Sequence, residues 1–186
     1  GSRGAAMLRQ REALQDALDF SRNRQAFDEG SRRPYALSRL DLESLIPVIR
    51  GERPLVVRVQ RASDILSVLR LQKEFSLKVI LAGADEGWRV AREIAAAGVP
   101  VLVNPLDDLP ISFETLGATL ENSARLQKAG VAIAFMTDDS HNARNVRQGA
   151  GNAVAHGMPW DAALASLTSV PARIWGISGS YGTLEA

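Results

Sequence analysis

The 186 residues include no cysteine, which removes disulfides, thiolate metal sites and a cysteine nucleophile. Aromatic side chains make up only 5%, too few for a base-stacking platform. Histidine occurs twice, at His141 and His156, and that spacing forms neither H-x-H nor H-E-x-x-H. G-x-G-x-x-G and Walker phosphate patterns do not occur either. No apolar run approaches the ~20 residues of a membrane span, and no signal-peptide pattern is visible. Lysine is nearly missing, since 19 of the 22 cationic residues are arginine. With 21 interleaved acids the net charge is +1, so no long-range field draws the chain to polyanions. Neither nucleic acid nor a membrane is expected as a partner.

What is present is periodic. Residues 7–29 and 38–50 carry apolar side chains at helical spacing, with Gly30 and Pro34 ending the first helix and Pro47 weakening the end of the second. This N-terminal helical segment, 1–50, precedes a repeating region, 51–186. Short apolar runs at 55–59, 77–82, 99–103 and 131–136 read as strands. Helical patterns follow them at 62–75, 86–97, 113–129 and 143–155, and two more close the chain at 160–167 and 171–175. Nearly continuous apolar strands alternating with helices predict an α/β fold with a parallel sheet covered on both faces. Gly98 and Gly130, each between a helix and a strand, fit left-handed helix ends. Periodicity does not separate an open sheet from an arc of a barrel.

Ligands of parallel α/β folds bind beyond the carboxyl ends of the strands. Those ends read Arg58-Val59-Gln60-Arg61, Ala82-Gly83-Ala84-Asp85-Glu86, Asn104-Pro105-Leu106-Asp107-Asp108 and Thr137-Asp138-Asp139-Ser140-His141-Asn142. The fourth is the richest: a carboxylate there can hold a metal or serve as a general base. Asp139, Ser140 or Asn142 can equally cap the next helix. Arg58 and Arg61 can bind a substrate carboxylate or pair with local acids such as Asp64. His156, late in a helix, suits a helix end better than a ligand.

At these strand ends the sequence resembles the imidazolonepropionase-like branch of the amidohydrolase superfamily. The resemblance runs from about Leu42 to Leu184. It is carried by Ile133-Ala134-Phe135-Met136-Thr137-Asp138 with Asp139 through Asn145, by Gly151-Asn152-Ala153-Val154, and by Thr168 through Gly176. The ending, Gly179 through Glu185, resembles a turn that returns the chain to a small β-domain. The resemblance implies strands five to eight of a TIM-type (β/α)₈ barrel, with the N-terminal half missing from this chain.

In active members of that superfamily zinc or another divalent metal is held by an H-x-H on strand one, histidines on strands five and six, and an aspartate on strand eight. Asp138 fits that aspartate, as metal ligand and catalytic base. The strand-five position is Arg58 and the strand-six position falls near Ala82 or Gly83. A guanidinium has no lone pair to offer, so no metal cofactor is expected in this chain, and Arg58 is expected to neutralise Asp138 instead. Arg58, Arg61, Asp139, His141 and Asn142 are the residues expected to meet a substrate. The family chemistry is hydrolysis of non-peptide C–N bonds, with turnover not expected from this chain alone. The alternative is a metal-free small-molecule binder or a structural domain. Open strand edges predict a homo-oligomer or a covering partner segment.

Overall fold

The computed structural model describes residues 2–138 and 140–183, and of Asn142 the backbone alone. Two compact units make up the chain, one of residues 1–55 with 67–79, the other of 56–66 with 80–186.

The first unit begins with α1 (Arg3–Arg22), α2 (Arg24–Asp28) and α3 (Arg39–Ile49). The single helix expected over 7–29 is two, because Asn23 leaves helical geometry and turns its amide back onto Asp19 Oδ1 at 2.9 Å. Ser38 caps α3 by accepting the Asp41 N–H at 3.3 Å. The core is Ala17, Phe20 and Leu42, all fully buried, ringed by Phe27, Tyr35, Leu45 and Ile46. Phe20 meets Phe27 edge-on at 5.0 Å, and Phe27 stacks on Tyr35 at 5.4 Å. Two carboxylates of α1 hold the segment that follows α2: the buried Asp16 receives Arg33 and the Ala36 N–H, and Asp19 receives Tyr35 and Arg32.

The sheet is built from β1 (Leu55–Val59), β2 (Val79–Gly83), β3 (Val101–Val103) and β4 (Ile133–Phe135), in that spatial order. Its four strands run parallel. Leu55 N–H bonds Lys78 O while Ala84 N–H bonds Val59 O, so β1 and β2 rise together. Leu81 opposes Val101, and Val101, Leu102 and Val103 oppose Ile133, Ala134 and Phe135. All five residues of β2 are buried, as a central parallel strand requires. Helix α4 (Ala62–Phe75) follows β1, and α5 (Ala91–Ala96), α6 (Asn122–Lys128) and α7 (Val146–Ala155) follow the others, before α8 (Trp160–Ala165) and α9 (Ser169–Ile174). Gly98 and Gly130 adopt φ of 64° and 88° at their helix ends.

The helices depart most from the periodicity at two places. The pattern over 86–97 is a 3₁₀ turn at Gly87–Val90 leading into α5, and that over 113–129 is helical only from Asn122. Between β3 and α6 the backbone bonds locally instead: Ser112 N–H reaches Thr115 Oγ1 at 3.1 Å, and Thr115 N–H reaches Ser112 O at 3.1 Å. Hydroxyls that bond nearby backbone compete with the helical ladder, and Pro105, Pro110 and Gly117 lie in the same stretch.

Candidate functional site at the strand mouths

The carboxyl ends of the four strands bring one polar cluster together. Arg58 comes from β1, Asp85 follows β2, Asn104, Asp107 and Asp108 follow β3, and Asp138 follows β4. Arg58 Nη1 lies 2.6 Å from Asp138 Oδ1, although 80 residues of sequence separate them. Asn104 Nδ2 donates to the other oxygen of Asp138 at 3.1 Å and to Asp107 Oδ2 at 2.5 Å. Asn104 and Arg58 together hold the Asp138 carboxyl below the ordinary aspartate range. The expected pairing of Arg58 with Asp138 is present, and it joins the mouths of the two outer strands, β1 and β4.

Behind this pair lie two carboxyl groups that sequence reading did not single out. Asp108 is 1% exposed. Burial drives its pKa up to about 8; Asp85 adds to the rise, while hydrogen bonding from Asn122 opposes it. Asp85 is 9% exposed. Burial, then the charges of Asp138 and Asp107, raise it to about 6 against the pull of Arg58. Asn122, at the start of α6 and fully buried, organises the rear wall. Its Nδ2 donates to Ala84 O at 3.0 Å and reaches both Asp108 oxygens at 3.4 Å, while Oδ1 accepts the Trp88 N–H at 3.0 Å.

The backbone after β2 explains how an aspartate comes to face inward. Gly83 and Ala84 take φ of 87° and 56°, so the chain turns through two successive left-handed residues. That conformation costs an alanine about 1–2 kcal/mol. Ala84 is held there from both sides, its N–H on Val59 O at 2.7 Å and its C=O under Asn122. A Cβ on Gly83 would collide with the carboxamide of Gln60, so the glycine also admits that side chain.

Arg61 donates to Phe113 O and lies 3.7 Å from Glu114. His141 is exposed in a 3₁₀ turn, Ser140–Asn145. Asp139 and the side chain of Asn142 lie outside the described residues, as do Leu184 and Glu185 of the terminal motif. His156 ends α7, its Nδ1 2.8 Å from Asn152 O.

A catalytic divalent metal fits these donors poorly. Both oxygens of Asp138 are engaged, one by a guanidinium that has no lone pair. Residues 82 and 83, at the second expected ligand position, are alanine and glycine. Among the described residues no group of three or more His, Asp or Glu side chains is placed to hold an ion.

Four parallel strands flanked by helices, with the polar residues at their carboxyl ends, match half of an amidohydrolase barrel. The solved structure that carries this comparison is an amidohydrolase from Thermotoga maritima MSB8, similar at a TM-score of 0.86 and 26% identity. The match covers 99% of this chain and 48% of that one, so the chain spans about half the length of the protein it matches. No family model matches the sequence, and no curated protein does.

Proposed function

We propose that this chain derives from an amidohydrolase of the imidazolonepropionase-like branch and that its strand mouths now form a metal-free site for a polar small molecule. The observation that carries this reading is the 2.6 Å pair between Arg58 and Asp138. Where a metal-dependent relative needs a ligand imidazole beside its aspartate, a permanent cation already neutralises the carboxylate. On this reading Arg58 and Asp138 anchor the ligand, with Arg61, Asp139, His141 and Asn142 as the further residues expected to meet it. Hydrolysis of non-peptide C–N bonds belongs to the ancestry, and the chain alone performs no metal-dependent turnover. The exposed strand edges are covered by a second copy or by a separate barrel half.

Metal content tests this directly. Protein purified from zinc-supplemented growth without chelators is expected to hold well under one metal per chain by mass spectrometry. Stoichiometric zinc, or hydrolysis of N-acyl or lactam substrates that chelators abolish, overturns the proposal.

A further inference from the structure

The two arginines that suggest an anionic ligand are already occupied, Arg58 by Asp138 and Arg61 by Phe113 O beside Glu114. The group in this site that lacks a partner is an acid. Asp85 is nine-tenths buried, and among the described residues no donor hydrogen-bonds its carboxylate. A carboxylate with little solvent around it and no hydrogen-bond donor gains from a charge-assisted bond to a bound cation. Gln60 Oε1, at the adjacent mouth of β1, is a buried atom without a partner, its carboxamide lying over Gly83. The charged groups acting on Asp85 are Asp138 beyond β4, Asp107 beyond β3, Arg58 on β1 and Glu86 in its own loop. One guanidinium thus faces several carboxylates, and that guanidinium is committed to Asp138.

We infer that the strand-mouth site takes a small organic cation, an amine or guanidinium, with Asp85 as its counter-ion. This rests on the metal-free reading above and names the ligand class for it. Asp107 supplies a second negative charge. A positive N–H donor satisfies the buried carboxylate and lowers the repulsion among its neighbours, two gains that an anion cannot offer. Ionisation of Asp85 is needed for the pairing, so binding strengthens as pH rises through about 6.

The test is an NMR titration of ¹⁵N-labelled chain with methylguanidinium chloride, with neutral methylurea for shape and sodium acetate for the opposite charge. Methylguanidinium is expected to shift the Ala84, Asp85 and Glu86 amides saturably, at least ten-fold more tightly than methylurea, with affinity falling as pH drops from 7.5 to 5. Asp85→Asn, its fold checked by circular dichroism, is expected to lose at least ten-fold. Methylguanidinium that binds no better than methylurea, or binds undiminished in Asp85→Asn, overturns the proposal. Should that variant not fold, the pH series on the unaltered chain decides: a flat series overturns the proposal. Acetate binding that Arg58→Gln removes, without methylguanidinium binding, sinks the cation yet keeps the metal-free site. Stoichiometric zinc sinks the underlying reading.

Discussion

Asp108 shows how much one buried carboxyl can impose on this fold. Its pKa is raised to about 8, chiefly by burial, whereas an unfolded aspartate titrates near ~3.9. The folded state therefore binds the proton more tightly, and the stability this contributes is complete below ~3.9 and is lost progressively as pH rises to about 8. Asp85 behaves alike over a narrower window that ends near 6. Asparagine matches the neutral carboxyl in shape and keeps an acceptor for Asn122. Asp108→Asn is thus expected to remove most of this decline. Urea titrations at pH 5 and pH 9 should show the variant gaining on the parent by a few kcal/mol at the higher pH, on the order set by one proton per ~1.4 kcal/mol per pH unit. A parent whose stability is level between those pH values contradicts the assignment. Neither carboxyl was legible beforehand. Asp85 and Asp108 follow apolar runs in loops, where an acid reads as solvated, and burial comes from chain turns the residue types do not announce. Asp138 was legible because the neighbouring residues carry the family resemblance, and Arg58 because it stands where that resemblance calls for histidine.

At the level of elements, the turn after β2 decides whether the site exists. Gly83 and Gly98 both sit at positive φ, 87° and 64°, but their surroundings differ. A Cβ at Gly98 meets nothing within 4 Å, whereas one at Gly83 runs into Gln60. Gly98→Ala is therefore expected to cost only the left-handed penalty, about 1 kcal/mol. Gly83→Ala should cost more, on the order of 2 kcal/mol, because the Gln60 carboxamide must also move. In a Gln60→Ala background the excess should vanish while the conformational part stays. Denaturant melts of the parent, Gly83→Ala, Gln60→Ala and the double variant form the cycle, and equal costs for Gly83→Ala and Gly98→Ala in the parent would remove Gln60 from the account. The same elements show where periodicity succeeds. Strand alternation and the helix-ending glycines were readable because burial on both faces and left-handed ends leave compositional marks. The helix expected over 113–129 was not, since Ser112 and Thr115 bond to each other's backbone and apolar spacing says nothing about that competition. The left-handed Ala84 carries no mark at all.

For the molecule as a whole, the two ends of the sheet matter most. Closing a parallel barrel takes eight strands, and the strand order here leaves β1 and β4 each with one outer side. That the four strands form half a barrel, and not an open sheet, came from the family resemblance, because local pattern is the same in both. The two edges are not equivalent. The Phe135 N–H of β4 donates to Ser166 O at 3.1 Å, so that edge is partly covered by the chain's own following segment. On β1 Val56 is 45% exposed, an unusual apolar exposure for a strand of this kind. We therefore propose that association runs through β1. Light scattering at micromolar concentration is expected to give a mass of at least twice the 20.1 kDa chain. Val56→Lys places a charge where strand edges are naturally protected, and it should return the mass to that of one chain while leaving the circular dichroism spectrum unchanged. A parent that is monomeric at those concentrations removes the need for any cover on β1, and an oligomer indifferent to Val56→Lys moves the contact to another surface.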